Sequence, residues 1–238
     1  MSRILWQHDK VESESGSGLI GVDEAGRGCL AGPVYAAAVY LSPNFFINDW
    51  ETLAPPKIDD SKKLSIADRE KAMVFLDALR SRGEVRFATG TATVEEIDAH
   101  NILGATTLAM GRALEGLQIP LEDEALPLWS QESSPCKIPA TILIDGRPVK
   151  HLAYPHKAIV QGDGKSLAIA LASIVAKVGR DRWMEEAHQQ FPVYGWKQNR
   201  GYGTAVHRQA IVEHGPTPFH RKLFLRKVLS REEPSVSG

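Results

Sequence analysis

Gly18-Leu-Ile-Gly-Val-Asp-Glu-Ala-Gly-Arg-Gly-Cys-Leu-Ala-Gly-Pro-Val-Tyr-Ala-Ala-Ala-Val-Tyr-Leu41 is the stretch from which the rest of the chain is read. Two apolar runs, 18–23 and 33–41, flank a glycine-rich turn, a pattern that predicts two buried strands joined by a tight connection. The first run ends on an acid pair, Asp23-Glu24. A carboxylate at the end of a buried strand is costly to ionise unless a cation or hydrogen bonds compensate it.

The same signature recurs downstream. Thr141-Ile-Leu-Ile-Asp145 is an apolar run closed by an acid, and Lys157-Ala-Ile-Val-Gln161 leads into the turn Gly162-Asp163-Gly164. Together with the alternating Glu84–Thr89, these runs give five short strands. Strand ends converge, so Asp23, Glu24, Asp145 and Asp163 are candidates to meet around a hard divalent metal with oxygen ligands. Asp145-Gly146 and Asp163-Gly164, each taken alone, are also ordinary turn pairs.

Helices fill the intervals. Ser65-Ile-Ala-Asp68 resembles a capping box that opens a helix with Ile66, Met73, Leu76 and Leu79 along one face. A second helix is expected from about Ile102 to Leu117, and a long one from Ser166 to Gln190, apolar at first and charged later. Beyond Pro192, short helices are expected around Trp196 and Tyr202. Residues 1–17 read as a flexible leader, 18–190 as the core with a surface insertion at 120–139, 191–230 as a helical substrate-binding part and 231–238 as a tail.

The 238 residues are 43% hydrophobic and 24% charged, enough apolar material for one large domain or two small ones and too little bias for disorder. No run reaches the ~18 apolar residues of a membrane helix. Met1–Lys10 lacks the blocks of a signal peptide, so a cytoplasmic protein is expected, in keeping with the two cysteines, Cys29 and Cys136. The net charge of -1 hides an asymmetry: residues 1–145 carry 13 Lys and Arg against 22 Asp and Glu, and residues 146–238 carry 15 against 7. The basic half suits either a polyanion such as nucleic acid or a solvated charge distribution, and Arg200 and Lys197 are either phosphate contacts or solvated surface charges.

Other chemistries find little support. Gly164-Lys165-Ser166 before a helix invites a phosphate-loop reading, but position 159 is Ile where that loop needs glycine. Lys165 and Ser166 either face a phosphate at the helix start or cap the helix. No Gly-x-Ser-x-Gly elbow is present, Cys29 reads as a small buried thiol, and the histidine spacings, 151 to 156 and 207 to 214, are not those of a zinc protease. Gly26-Arg27-Gly28 lets the backbone approach a ligand while Arg27 faces an anion or an acid. Tyr202, between two glycines, either stacks on a sugar or base or packs internally.

These residues resemble ribonuclease HII, the type 2 ribonuclease H family. Gly21–Pro33 matches its opening signature, and Asp60-Ser-Lys-Lys-Leu-Ser65, Ile144-Asp-Gly146, Ala172–Lys177 with Arg180-Asp-Arg182, and Gly201-Tyr-Gly-Thr204 follow in family order. The resemblance spans roughly Gly18 to Phe224. It implies a ribonuclease H-like α/β fold: a five-stranded mixed sheet flanked by helices, with a small helical C-terminal part. It further implies endonucleolytic cleavage of RNA paired to DNA and of duplex DNA 5′ of a single embedded ribonucleotide, leaving 5′-phosphate and 3′-hydroxyl ends.

Position by position, the resemblance makes Asp23, Glu24, Asp145 and Asp163 the metal-binding carboxylates for two Mg²⁺ or Mn²⁺ ions. Gly26, Arg27 and Gly28 match the loop that recognises the ribose 2′-hydroxyl. Tyr202 matches a tyrosine packing on the next deoxyribose, and Lys62 a phosphate contact. The related ribonuclease HIII enzymes usually carry Glu as the fourth acid and lack the Gly-Arg-Gly loop. Arg200 and Gly164 depart from the residues usual at their positions, and the 120–139 insertion is longer than expected. The expected partners are RNA/DNA hybrid and ribonucleotide-containing duplex DNA, with no membrane, no sliding-clamp peptide at 230–238 and a monomeric state. Two rivals are a related two-metal nuclease with another substrate, and an inactive hybrid-binding module, against which the retention of all four acids argues.

Overall fold

The computed structural model describes residues 2–13, 18–59, 61–119 and 140–229, with side chains described up to 226. Asp60, Cys136, the insertion at 120–139 and the tail at 231–238 lie outside the described residues. Five strands, β1 (Leu19–Ala25), β2 (Val34–Leu41), β3 (Val85–Ala92), β4 (Thr141–Asp145) and β5 (Lys157–Ile159), form one sheet in the order β3-β2-β1-β4-β5. β1 runs antiparallel to β2 and parallel to β4; β2–β3 is antiparallel and β4–β5 parallel. The mixed α/β fold is therefore the one expected.

Alternate residues of the central strands enter different cores, as the two-residue pleat requires. Ile20, Val22, Ala36, Ala38 and Ile144 pack with α3 (Val94–Gly116) on one face. Leu19, Ala37, Val39 and Leu143 pack with α2 (Ile66–Ser81) and α4 (Leu167–Gln190) on the other. Burial on both faces explains why β1, β2 and β4 read as continuous apolar runs. A Cβ at Gly21 would collide with the backbone of Ala168 and Ile169, so this glycine lets the start of α4 rest directly on β1.

Two expectations need correction and a third is extended. Residues 1–17 are not simply a leader: Ser2–Glu12 form helix α1, with Leu5, Trp6 and Asp9 buried and Leu5 and Trp6 in the same core as Phe45 and Phe46. The polar residues between them face outward, and one inward residue is itself an acid, so the segment carries no sustained apolar period. Ile66, placed on the inner face of α2, is 60% exposed; Ala72, Leu76 and Leu79 make that face. The helix expected from Ile102 is the second segment of α3, which breaks at Asn101 (φ 55°, ψ 173°). Its first segment starts earlier, at a capping box of Thr93 and Glu96.

After α4 come α5 (Trp196–Asn199), α6 (Ala205–His214) and α7 (Lys222–Leu229). Their core is aromatic: Trp196 is fully buried and stacks on Tyr194 at 5.2 Å. Among the described residues no helix is long and apolar enough to cross a membrane.

Candidate active site

Asp23 lies one residue past Val22, and Asp145 one past Ile144, and Val22 and Ile144 are registered partners in the parallel β1–β4 pair. The two acids therefore leave adjacent strands together, on the face that carries α4. Asp163 sits in the single 3₁₀ turn Gly162–Gly164 between β5 and α4. The turn is tied to β4 because the Gly162 N–H donates to Asp145 Oδ1 at 2.6 Å.

Asp23 is 6% exposed. Burial above all, then the neighbouring charges of Glu24 and Asp145, push its carboxyl well above the usual range, against hydrogen bonds from Ser173 and the Glu24 N–H. Glu24 is also raised, by burial first, while Arg27 opposes the shift with a 2.9 Å bond to Glu24 Oε1 and Lys62 opposes it through space. A buried carboxyl with two like charges beside it is the environment that a divalent cation relieves, and the donors are the hard oxygens that Mg²⁺ and Mn²⁺ take. Among the described residues no three Asp, Glu, His or Cys side chains already converge as a finished ligand set; the acids line a cleft instead.

That cleft, of about 200 Å³, is lined by all four acids together with Gly26, Arg27, Gly28, Lys62 and Tyr202. Arg200 and Lys197 aside, nine of the eleven acids, loop residues and helix-start residues singled out from the sequence thus share one site. Arg27 resolves as an acid-facing arginine. Gly26 has φ +93°, and a Cβ there would strike the Arg180 side chain, whereas one at Gly28 meets nothing within 4 Å: one glycine is required by packing, the other borders open space. Tyr202 is 42% exposed, and its hydroxyl donates to the Cys29 thiol, itself buried and shifted up by burial.

The remaining two residues do not line the cleft. Ser166 is fully buried; its hydroxyl accepts from the Ile169 N–H and donates to Asp9. Of the two readings left open it takes the helix cap, and the expectation of a substrate contact is corrected. Lys165 is exposed and its ammonium donates to the Val160 carbonyl. Arg200 is also corrected as a phosphate contact: its guanidinium is held by the Asp181 carbonyl and Glu185. Part of the positive charge of the C-terminal half is therefore consumed internally.

Sequence reasoning missed the residues that hold the two loops bordering the cleft. Arg180 donates to the carbonyls of Ala31, Pro33 and Arg200, and Arg221 to those of Arg27, Gly32 and Pro33. The Leu30 N–H adds a 2.8 Å bond to the Gly201 carbonyl. The Gly26–Gly28 loop and the Tyr202 loop are thus one unit. Arg180 lay in a quoted motif, but its backbone partners leave no trace in sequence. Ser173 and Lys177, which also line the cleft, were visible only as part of the same motif; Lys177 is held by Asp181 at 2.6 Å.

Known proteins share this sequence pattern and this fold. A sequence profile of the family described as Ribonuclease HII matches residues 20–227. Ribonuclease HII of Granulibacter bethesdensis is 41% identical over 236 residues, 98% of this chain and 96% of the relative. Among solved structures, ribonuclease H2 from Pyrococcus horikoshii shares the fold with a TM-score of 0.63 at 24% identity, covering 90% of this chain and 98% of that one. Bst-RNase HIII in complex with Mn²⁺ gives 0.61 at 18% identity, covering 92% and 71%. On this evidence the chain belongs to the ribonuclease HII family, endoribonucleases acting on the RNA of RNA/DNA hybrids.

Proposed function

We propose that this enzyme cuts the RNA strand of RNA/DNA hybrids and also cuts duplex DNA 5′ of a single embedded ribonucleotide, by a two-metal-ion hydrolysis that leaves 5′-phosphate and 3′-hydroxyl ends. The observation that carries the reading is the joint lining of one cleft by the four acids, the Gly26–Gly28 loop and Tyr202. It serves removal of ribonucleotides and RNA primers in the cytoplasm. Two Mg²⁺ or Mn²⁺ ions would supply activation of the attacking water and neutralisation of the departing 3′-oxygen.

The chain's own residues do the rest. Asp23 and Asp145, on adjacent strands, are the central ligands, and Glu24 and Asp163 complete one ion each. Arg27 holds Glu24 in place and limits its repulsion of Asp23. The sole chemical mark of a ribonucleotide in DNA is its 2′-hydroxyl, which both donates and accepts. Backbone groups of Gly26–Gly28 reach it beside Asp23, and the exposed face of Tyr202 packs on the following deoxyribose, where a 2′-hydroxyl would crowd it. Lys62 contacts a backbone phosphate.

The test is cleavage-site mapping on four substrates: a DNA duplex with one ribonucleotide, a uniform RNA/DNA hybrid, plain duplex DNA and single strands. Cutting of the first at the 5′ side of the ribonucleotide and of the second along the RNA, with the others intact, is the expected outcome. Cleavage of plain duplex DNA overturns the proposed specificity. Binding without cleavage of any substrate under saturating Mg²⁺ or Mn²⁺ turns the protein into a hybrid-binding module.

A further inference from the structure

Helix α1 reaches the acid site through a single buried side chain. Asp9 is fully buried, and its Oδ2 accepts from the Ala168 N–H at 2.7 Å and from the Ser166 hydroxyl at 3.1 Å. Ser166 in turn accepts from the Ile169 N–H. The first N–H groups of a helix have no partner within it, and the positive end of the dipole favours a negative group. Asp9 and Ser166 divide those groups of the 24-residue α4 between them.

The path continues from the cap to the acids. The Ser166 and Lys165 N–H groups both donate to the Gly162 carbonyl, at 2.8 and 2.9 Å. The Gly162 N–H donates to Asp145 Oδ1 at 2.6 Å, and Asp163 is the next residue of the same turn. A Cβ at Gly162 would press on Ile169 and approach Asp145, so the turn is wedged between the start of α4 and the end of β4. At its other end α1 is pinned by Glu12, which accepts from Lys157, the first residue of β5, at 2.8 Å.

We propose that Asp9 is a positioning residue for the acid site, setting the places of Asp145 and Asp163 through Ser166 and the Gly162–Gly164 turn. The inference rests on the reading of these acids as metal ligands. An Asp9 that merely anchored α1 would affect stability; one that positions ligands also affects their affinity for metal, as groups supporting a ligand shell do by about 10- to 100-fold.

The experiment is a Mn²⁺ titration of the metal-stripped full-length protein, read from the electron paramagnetic resonance of free Mn²⁺, beside steady-state kinetics on a uniform hybrid. Asp9→Ala is expected to weaken Mn²⁺ binding about 10-fold and to lower kcat with KM for the hybrid unchanged, the loss shrinking as Mn²⁺ is raised. Asp9→Asn keeps an acceptor oxygen and should stay within about threefold of wild type, on the same scale. A cooperatively folded Asp9→Ala with wild-type Mn²⁺ binding overturns the inference. If Asp9→Ala does not fold, Ser166→Gly breaks the same path while keeping a residue that helix starts accept, and unchanged Mn²⁺ binding there overturns it equally. A wild-type protein that takes up no Mn²⁺ overturns the metal reading, and this inference with it.

Discussion

Asp23 lines the cleft and Arg221 lies buried behind its Gly26–Gly28 loop, and the two charges are accommodated in opposite ways. Asp23 stands beside two more carboxylates, Glu24 and Asp145, and its compensation within the protein comes from one hydroxyl and one N–H. Arg221 donates to three carbonyls, at 2.8 to 3.1 Å, and its own N–H bonds a fourth; burial and the nearby Arg180 still lower its pKa to about 10. The acid end is left short of positive charge, which suits a site that takes cations. The guanidinium end is satisfied internally, which suits a scaffold. A substitution at the first should remove chemistry and spare the fold; a substitution at the second should do the reverse.

The largest effect is expected at the acid end. Asp23→Asn removes a charge at nearly constant volume, so turnover on a hybrid should fall by at least about 10³-fold, roughly 4 kcal/mol of transition-state stabilisation. Duplex binding and thermal stability should be close to wild type, with any change in stability a rise, since burial penalises this carboxylate in the folded state. A folded variant that keeps a tenth of wild-type turnover in saturating Mg²⁺ would show that Asp23 is not a central ligand.

At the other end, Arg221→Ala leaves the carbonyls of Arg27 and Gly32 without their side-chain donor and that of Pro33 with Arg180 alone. The expected loss is about 3–5 kcal/mol in denaturant unfolding, in the range for breaking a buried polar network. A loss below about 1 kcal/mol, the worth of one ordinary hydrogen bond, would mean that the two loops are held by other contacts.

How legible each region is in sequence follows from the same contrast. Asp23, Glu24 and Asp145 stand out because an acid interrupts an apolar run, and strand ends on one sheet have few places to go. Arg221 gives no such signal: its partner Gly32 is 189 residues away and offers only a carbonyl. Asp9 is hidden for a related reason. An acid in a polar segment reads as solvated, and only the start of α4, 157 residues further on at Ser166, shows why it is buried. The strands and α4 are readable because burial on one or both faces writes itself into hydrophobic pattern; the helix cap at Ser65 is readable because capping is local, whereas Ser166 stays open in sequence between a cap and a phosphate contact. Asn101, where α3 breaks, is not readable, since its side chain replaces the helix bonds of Leu103 and Gly104 and the surrounding sequence stays helical in character.

The two ends should also answer acid differently. His207 accepts from the Trp196 indole and faces His220 at 3.1 Å, while its other nitrogen bonds the Tyr202 carbonyl. Burial lowers both histidines, His220 to about 4 with His207 as a second cause. Both are neutral in the folded protein at neutral pH, whereas in the unfolded chain they protonate near pH 6.5. The unfolded state thus binds more protons over that window, so stability is complete above about pH 6.5 and falls as pH drops toward 4, by at most about 1.4 kcal/mol per pH unit for each histidine. Asp23 and Glu24, shifted upward, act in the opposite sense. Asp9 and His8, also raised, add to that opposing sense, so the sharp readout is the difference between proteins: from pH 8 to 5 the unfolding midpoint of His220→Gln should gain relative to wild type, and an unchanged difference across that range would assign the acid sensitivity elsewhere.

The smallest effect is the most selective one. Tyr202 joins the two ends: its carbonyl is held by His207, its hydroxyl bonds Cys29, and the residue, 42% exposed, lines the cleft with the acids. Its contribution is a flat apolar surface, worth about 1–3 kcal/mol if a sugar or base packs on it. Tyr202→Ala should therefore slow cleavage 5′ of a single embedded ribonucleotide by roughly 10-fold, within that range, while overall duplex affinity changes little because phosphate contacts dominate it. On a uniform hybrid the following sugar carries a 2′-hydroxyl and already packs poorly, so the loss should be smaller and the preference for the junction should narrow. Tyr202→Phe keeps the ring and loses the bond to Cys29, a neutral hydrogen bond worth about 1 kcal/mol or less, and should retain most of the junction preference. Parallel single-turnover assays on the two substrates decide the matter: an equal loss on both for Tyr202→Ala would return this tyrosine to a packing role, and a Tyr202→Phe as impaired as Tyr202→Ala would place the discrimination in the hydroxyl and its sulfur partner instead of the ring.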